Sequence, residues 1–320
     1  MNVNVITPIR LGGPYRVGQN LADVLRRKGV DATWTHRLSR VLTSPLWQGA
    51  DVVHSIDIPI SYRLWRRPLV LTIQGDYTVD NTVWKRFYPR AIRMADVVTA
   101  NSHFLKERLN LEDAVIIPGA VFSDRFVQVK HTDKDPINIV TVTKFYFKDK
   151  AKGVLNILEI LDKVQKNTRR RIKYSVVGGG TYLEEIRGES GKYGVDVEFT
   201  GVVEDPGRIL ERSDIFVYYS PHDDFPNVFL EAMACGLPVV TNTVGSVAEI
   251  FEKEKDGYIA ATDETYFEYV LNLLNRVELR DKIGGNARRT AETKFDWAKI
   301  GDQYIEIFRK LVGDNQDARG

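Results

Sequence analysis

The chain has 320 residues, 43% hydrophobic and 28% charged, with a formal net charge of +2. That length predicts about two domains, and those fractions exclude disordered, collagen-like and low-complexity classes. One cysteine, no run of 18 apolar residues and no basic or apolar leader in the first eight residues point to a soluble, cytoplasmic protein from a reducing compartment.

Short apolar, β-branched runs predict strands at Val3–Ile6, Asp51–His54, Leu69–Ile73, Asp96–Ala100, Ile137–Thr143, Lys173–Val177, Ile215–Tyr218 and Pro238–Thr241. Helical periods lie between them, with Leu21, Val24 and Leu25 on one stripe and Leu155, Leu158, Ile160 and Leu161 on another. This alternation predicts an α/β protein with parallel sheets covered by helices. The polar stretch 126–136, with His131, Asp133, Lys134, Asp135 and Pro136, interrupts the pattern and reads as an interdomain linker. It separates two doubly wound domains, 1–125 and 137–295. Ligands of such sheets bind beyond the carboxyl ends of the strands, so a cleft faced by both domains is the expected site. Asp296 suits the N-cap of a last helix, 296–320, with Ile300, Tyr304, Ile305, Phe308 and Leu311 on one stripe, and Gly313 to Gly320 reads as a frayed tail.

The charge is unevenly spread. Residues 1–130 hold 18 Lys/Arg against 11 Asp/Glu, a net +7, and the remainder is −5. Arg63, Arg66, Arg67, Lys85, Arg86, Arg90 and Arg93 carry much of the excess, interleaved with Tyr62, Trp65, Trp84, Phe87 and Tyr88. Two readings stay open: solvated helix faces, or a surface over 62–93 that meets an anionic membrane or an acidic substrate. No nucleic-acid-binding motif accompanies the charge, so nucleic acid is not expected as a partner.

Several chemical signals fail. Gly13 and Gly18 have phosphate-loop spacing, but Gln19 and Asn20 stand where Lys and Ser/Thr are needed. Leu183 occupies the third glycine of a dinucleotide fingerprint begun at Gly178, which argues against a nicotinamide enzyme. Cys235 has no metal-ligand spacing and reads as a core residue, and Asp133-x-Asp135 lies in the linker, away from any strand end. What remains are glycine-rich turns between strand and helix. Gly12-Gly13 is either a tight turn or a place where backbone approaches a ligand. The stronger signal runs from Tyr218 to Gly236, where a strand exits into a loop with Asp223 and Asp224. A helix then starts near Asn227 with Glu231 one turn in. Free amides at such a helix start suit a diphosphate, and Glu231 can accept hydrogen bonds from sugar hydroxyls.

Asp223 to Glu231, followed by Ala-Met-Ala-Cys-Gly-Leu-Pro-Val-Val, resembles the E-x7-E region of family-four retaining glycosyltransferases with the GT-B fold. Further blocks occur in that family's order: Gly12-Gly13, Ala100-Asn101-Ser102, Lys152-Gly153, Val177 to Gly180, Phe199-Thr200-Gly201, Gly245-x3-Glu249 and the Phe295-Asp296-Trp297 helix. The resemblance implies a GT-B fold whose last helix crosses back to the first domain, with the donor held by the carboxy-terminal domain and the acceptor by the amino-terminal one. It implies that Glu231 binds the nucleotide ribose and that Asp223 lies beside the donor sugar. Phe225, Pro226 and Asn227 hold sugar hydroxyls through their backbone, with Val228 and Phe229 at the phosphates. Lys144 and Lys152 correspond to the basic pair that grips the diphosphate without a metal. Gly12, Gly13, Gly178, Gly179 and Val203 complete the donor site, the last beside the base.

The departures are local. Asp223 is one methylene shorter than the usual Glu, Asp224 replaces a glycine, and Lys144 replaces an arginine. The loop to Lys152 is longer than usual, Gln74 stands where many members have His near the donor sugar, and Pro118-Gly119-Ala120 replaces Pro-Asn-Gly. None removes phosphate charge or hydrogen bonding, so a working enzyme is expected. That enzyme would be a retaining, metal-independent and cofactor-free hexosyltransferase. It would use a UDP or GDP sugar and a hydroxyl acceptor, lipid-linked or polysaccharide, in the cytoplasm or at the inner face of the membrane. A nucleotide-sugar epimerase on the same fold and a catalytically silent nucleotide-sugar-binding subunit are the alternatives.

Overall fold

A central strand of a parallel sheet is covered on both faces, so its residues are buried whether apolar or polar, and any polar side chain among them needs a partner. The runs Val52–Ile56 and Leu69–Ile73 are buried at every position. The computed structural model describes residues 1–8, 13–36, 49–59, 68–79 and 83–317. They form two units, Met1–Ala120 with Phe295–Gly320, and Val121–Lys294.

The first unit carries one parallel sheet of six strands: β1 (Asn2–Ile6), β2 (Asp31–Thr35), β3 (Val52–Ile56), β4 (Leu69–Ile73), β5 (Val97–Ala100) and β6 (Val115–Ile116), in the order β2-β1-β3-β4-β5-β6. The second carries β7 (Ile137–Val142), β8 (Ile172–Val177), β9 (Asp196–Gly201), β10 (Ile215–Tyr218), β11 (Val239–Asn242) and β12 (Tyr258–Ala260), in the order β12-β11-β10-β7-β8-β9. Both sheets are parallel, as the alternation predicts. Sequence pattern misses β2, β6, β9 and β12, and these four are the four sheet edges. An edge strand is only partly covered. Asp196–Gly201 has no fully buried residue, and β6 and β12 have two and three residues. Neither case produces an apolar run.

The helix Trp297–Asp317 belongs with the first unit although it is last in sequence. Asp296 Oδ1 accepts the Ala298 N–H at 2.8 Å, the cap expected of it. Ile300, Tyr304, Ile305 and Phe308 are buried, Lys28 pairs with Asp302 at 2.8 Å, and Gly301 lets the helix approach Val24 of the helix Gly13–Arg27. The helix continues to Asp317, past the expected fraying point, because glycine inside a helix costs only about 1 kcal/mol.

The stretch 126–136 is no free linker, which corrects the sequence reading. Val129 N–H donates to Cys235 O at 2.8 Å, Val127 N–H to Glu211 Oε1 at 2.9 Å, and His131 Nε2 lies 3.1 Å from Gly236 O. Three of its charges pair with residues of the second unit. Asp133 pairs with Arg170, Lys134 with Asp214 at 3.1 Å, and Asp135 with Arg171 at 2.9 Å. Polarity here reflects ion pairing across the chain, which local composition cannot distinguish from solvation. Tyr88 is a second correction. It is buried, stacked 4.2 Å from Tyr77, and its hydroxyl donates to Asp57 O at 3.1 Å, so it is not part of an interfacial surface.

One buried polar chain in the first unit has a measurable consequence. His54 Nε2 lies 2.6 Å from Thr72 Oγ1, which lies 2.6 Å from Thr99 Oγ1, and the imidazole packs 5.0 Å from the Tyr304 ring. Burial pushes His54 down from its ordinary 6.5 to about 3, and Nδ1 has no partner among the described residues. The native state therefore refuses a proton that the unfolded chain accepts. Stability is intact above pH 6.5 and is lost as pH falls towards 3, by up to about 1.4 kcal/mol per pH unit. In urea denaturation, wild type and His54→Leu should differ by a constant above pH 7, and wild type should lose about 1 kcal/mol more per pH unit between pH 6 and 4. Parallel profiles throughout would mean that His54 is not held neutral.

Candidate functional site

Loops that leave a doubly wound sheet at its point of reversal converge beyond the carboxyl ends of the central strands. In the second unit β7 pairs directly with β10, while β8 and β9 continue to one side and β11 and β12 to the other. The loops after β7, β10 and β11 therefore meet at one place, and most of the donor-site residues named from sequence lie on them or beside them.

Lys144 is exposed on the loop after β7, which leads into the helix Lys148–Lys166 with Lys150 and Lys152 near its start. At Gly153 a Cβ would lie 1.9 Å from the Tyr219 carbonyl oxygen. Only glycine lets this helix rest on the loop that leaves β10. Lys150 reaches that loop and pairs with Asp223 Oδ2, with Nζ 5.6 Å from the centre of the Tyr218 ring. The Tyr218 hydroxyl donates to the same oxygen at 2.5 Å, and Asp224 N–H donates to Oδ1 at 3.1 Å. Burial, and then the Asp223 charge, hold the Tyr218 phenol well above its ordinary value, so it stays a protonated donor. Lys150 and Tyr218 escape sequence reasoning. Among alternating lysines at 148, 150 and 152, only the packing at Gly153 distinguishes the one that faces the acid.

The acidic loop is also held from the β11 side. Gly245 has φ +51, and a Cβ there would lie 2.0 Å from Asp223 O. Ser246 donates to Asp224 O from its N–H at 2.9 Å and from its hydroxyl at 2.6 Å. Beyond the loop the helix Asn227–Ala234 begins, with Pro226 at its N-cap and no side-chain cap. Its first amides have no acceptor within the helix. Asn227 Oδ1 is buried without a partner among the described residues, and Glu231 is half-buried one turn later.

Phe229 packs into the core. Its N–H donates to Pro226 O at 3.0 Å, and its ring is fully buried edge-on to Tyr218 at 5.1 Å and 5.4 Å from Phe251. Its side chain fills the core, and its amide is already engaged. Phe225 and Pro226 are likewise buried, while Val228 stays half-buried on the first turn. Gly178, at φ +133, would place a Cβ 1.8 Å from Thr143 O, and Gly179 would place one 2.6 Å from Val202 Cγ2. Backbone packing accounts for Gly178, and it draws the ends of β7 and β8 together, while the close contact at Gly179 is with the exposed Val202 side chain, next to half-buried Val203.

Two of the named residues lie in the first unit. Gln74 follows β4, its N–H donating to Asp57 Oδ1 at 2.8 Å and its carbonyl accepting from Asn101 Nδ2 at 2.8 Å. Gly13 opens the helix Gly13–Arg27, and Gly12 lies outside the described residues. Among the described residues no group of three or more His, Cys, Asp or Glu could hold a metal ion. Cys235 is buried, and burial pushes its thiol far up.

The family model of glycosyl transferases group 1 matches residues 123–290. The chain belongs to this family. An uncharacterized glycosyltransferase of Methanocaldococcus jannaschii is 26% identical over 249 residues, 74% of this chain and 63% of that protein. The phosphatidyl-myo-inositol mannosyltransferase of Mycobacterium tuberculosis is 25% identical over 213 residues, 63% of this chain and 55% of that one. The chain thus spans less than two thirds of the length of these curated relatives. The crystal structure of Anabaena HepE in complex with UDP aligns with a TM-score of 0.78 at 16% identity, over 97% of this chain and 99% of that one. That likeness establishes the GT-B fold, two Rossmann-like α/β units, for this group 1 member.

If Gly245 holds the acidic loop as described, Gly245→Ala should destabilise the protein by about 1–3 kcal/mol, from strain at positive φ and the clash with Asp223 O. Gly188, on the helix Leu183–Ser190 with open space around it, supplies the control. Gly188→Ala should be neutral or stabilising by up to about 1 kcal/mol. Urea denaturation of both variants checks this, and equal effects would show that the Gly245 contact is unimportant.

Proposed function

We propose that this protein is a retaining hexosyltransferase. It moves a sugar from a nucleoside diphosphate donor to an acceptor hydroxyl without a metal. The observation that carries the reading is the meeting, at the reversal point of the second sheet, of a basic segment with a paired acid and an uncapped helix start. The exposed Lys144 and Lys152 and the first amides of Asn227–Ala234 match a diphosphate, and they would stabilise the charge that builds on it as the glycosidic bond breaks. Asp223 Oδ1 and Asn227 Oδ1, the latter unpartnered among the described residues, are acceptors for sugar hydroxyls, Glu231 is one for the ribose, Gly178 and Gly179 complete the donor site, and Val203 lies beside the base. Retention, and a family-four assignment, rest on the resemblance of the E-x7-E region. The UDP in the HepE structure and the name of the mycobacterial relative support a nucleotide-sugar donor and a lipid-bearing acceptor.

Acceptor-dependent release of UDP or GDP from a panel of nucleotide sugars should identify the donor, and it should persist in a chelator. Loss in chelator with recovery on adding magnesium or manganese would refute the metal-free mechanism. Lys144→Ala and Lys152→Ala should each weaken nucleotide binding by about 1.5–3 kcal/mol, the range for a charged hydrogen bond. Unchanged affinity in both would place the phosphates elsewhere.

The acceptor side carries a separate proposal. Lys85, Arg86, Arg90 and Arg93 are exposed and pair with no carboxylate among the described residues, and they surround Phe87, which is 49% exposed. Tyr62, Arg63, Trp65, Arg66 and Arg67 lie outside the described residues, as does the Trp84 side chain. Among the described residues no helix is long and apolar enough to cross a membrane. Docking on an anionic surface would draw on the order of 1 kcal/mol per basic residue, screened by salt. Vesicles containing anionic lipid should sediment the protein at low salt and release it at high salt. A protein that stays in the supernatant at low salt would exclude membrane docking.

A further inference from the structure

The three lysines that alternate at the start of the helix Lys148–Lys166 have different surroundings. Lys148 pairs with Glu185 at 3.1 Å and lies 5.8 Å from the Tyr182 ring, so it ties this helix to the next. Lys152 is exposed and has no ion pair among the described residues. Lys150 differs from both. Its side chain is only 21% exposed, Asp223 is 17% exposed, and the ammonium rests on the face of Tyr218 while paired with Asp223 Oδ2.

Among the described residues, Asp223 Oδ2 therefore has two donors, Lys150 Nζ and the Tyr218 hydroxyl, and Oδ1 has only the Asp224 N–H. A carboxylate oxygen accepts about two hydrogen bonds, so Oδ1 retains one acceptor position and Oδ2 is filled. The acid is fixed in one orientation with one open acceptor. It also stands beside the place where, on the reading above, a diphosphate binds, and an unpaired carboxylate there would repel that ligand.

We infer that Lys150 is a positioning residue for donor binding. It acts through Asp223, cancelling the charge of the shorter acid and turning Oδ1 towards the donor sugar. Lys144 and Lys152 hold the phosphates, and Lys150 makes Asp223 compatible with them. This inference rests on the diphosphate reading of the site, and its test separates the two.

UDP and GDP binding measured by calorimetry on wild type, Lys150→Met, Asp223→Asn and the double variant decides it. Wild type should bind one of these nucleotides. Lys150→Met should weaken that binding about tenfold, because it leaves Asp223 unpaired beside the phosphates. Asp223→Asn should bind at least as well as wild type, and adding Lys150→Met to it should cost less than about threefold. Lys150→Arg, which keeps the charge, should stay within about threefold of wild type and serves if Lys150→Met does not fold. Melting temperatures of all variants report the structural role, which Lys150→Arg and the neutral double variant should both preserve. An equal penalty for Lys150→Met in both backgrounds would show that Lys150 touches phosphate directly and would overturn the inference, as would the absence of any penalty. If wild type bound neither nucleotide, the diphosphate reading itself would fall, and this inference with it.

Discussion

Parallel pairing obliges each strand to return through a helix, so all the carboxyl ends of a sheet emerge on one side. In the second unit this constraint decides where chemistry can occur. The chain winds outward from β7 through β8 to β9, returns, and winds outward again from β10 through β11 to β12. Segments 73 residues apart, such as those carrying Lys150 and Asp223, become neighbours because β7 and β10 are adjacent.

What the topology brings near, glycines bring into contact. Gly153 sets the Lys148–Lys166 helix against the exit of β10, and Gly245 closes the turn after β11 against the acidic loop. The loop is therefore clamped from two elements that are not adjacent in sequence. This explains how a short acid can be held rigidly where the chain is otherwise irregular. The cost is a crowded backbone, in which a single methyl group at either glycine meets a carbonyl oxygen.

Charge follows the same rule in both units: a buried or half-buried ion keeps its partner. Asp214, almost wholly buried, takes the Asn138 N–H at 2.8 Å and Lys134 at 3.1 Å. Burial pushes its carboxyl up, and His131, Asn138 and Lys134 together outweigh that and hold it low. Asp223, half-buried, has its partners in Lys150 and the Tyr218 hydroxyl. Lys144 and Lys152 in the second unit and the basic cluster around Phe87 in the first are exposed. Exposure alone does not mark a cation for a ligand, since Arg171 and Lys166 are strongly exposed and still engaged in ion pairs.

Sequence alone determined the elements that are either fully buried or strongly punctuated. Central strands announce themselves by short runs rich in Val, Ile and Leu, the final helix by its Asp296 cap and apolar stripe, and the Asn227 helix start by the proline and acids before it. The motif order from Gly178 to Gly245 was legible because each block ends a strand or starts a helix. Edge strands were not legible, since Asp31–Thr35 and Asp196–Gly201 are only partly covered and β6 and β12 are two and three residues long, too short to show a pattern. The role of 126–136 was not legible either, because Asp133, Lys134 and Asp135 look the same whether hydrated or paired with Arg170, Asp214 and Arg171. Inside the site, the burial of the Phe229 ring likewise could not be read from its place in the motif. Which of three alternating lysines meets the acid was decided by tertiary structure alone, because at 3.6 residues per turn Lys148, Lys150 and Lys152 point in different directions and only the contact at Gly153 fixes which of them faces Asp223.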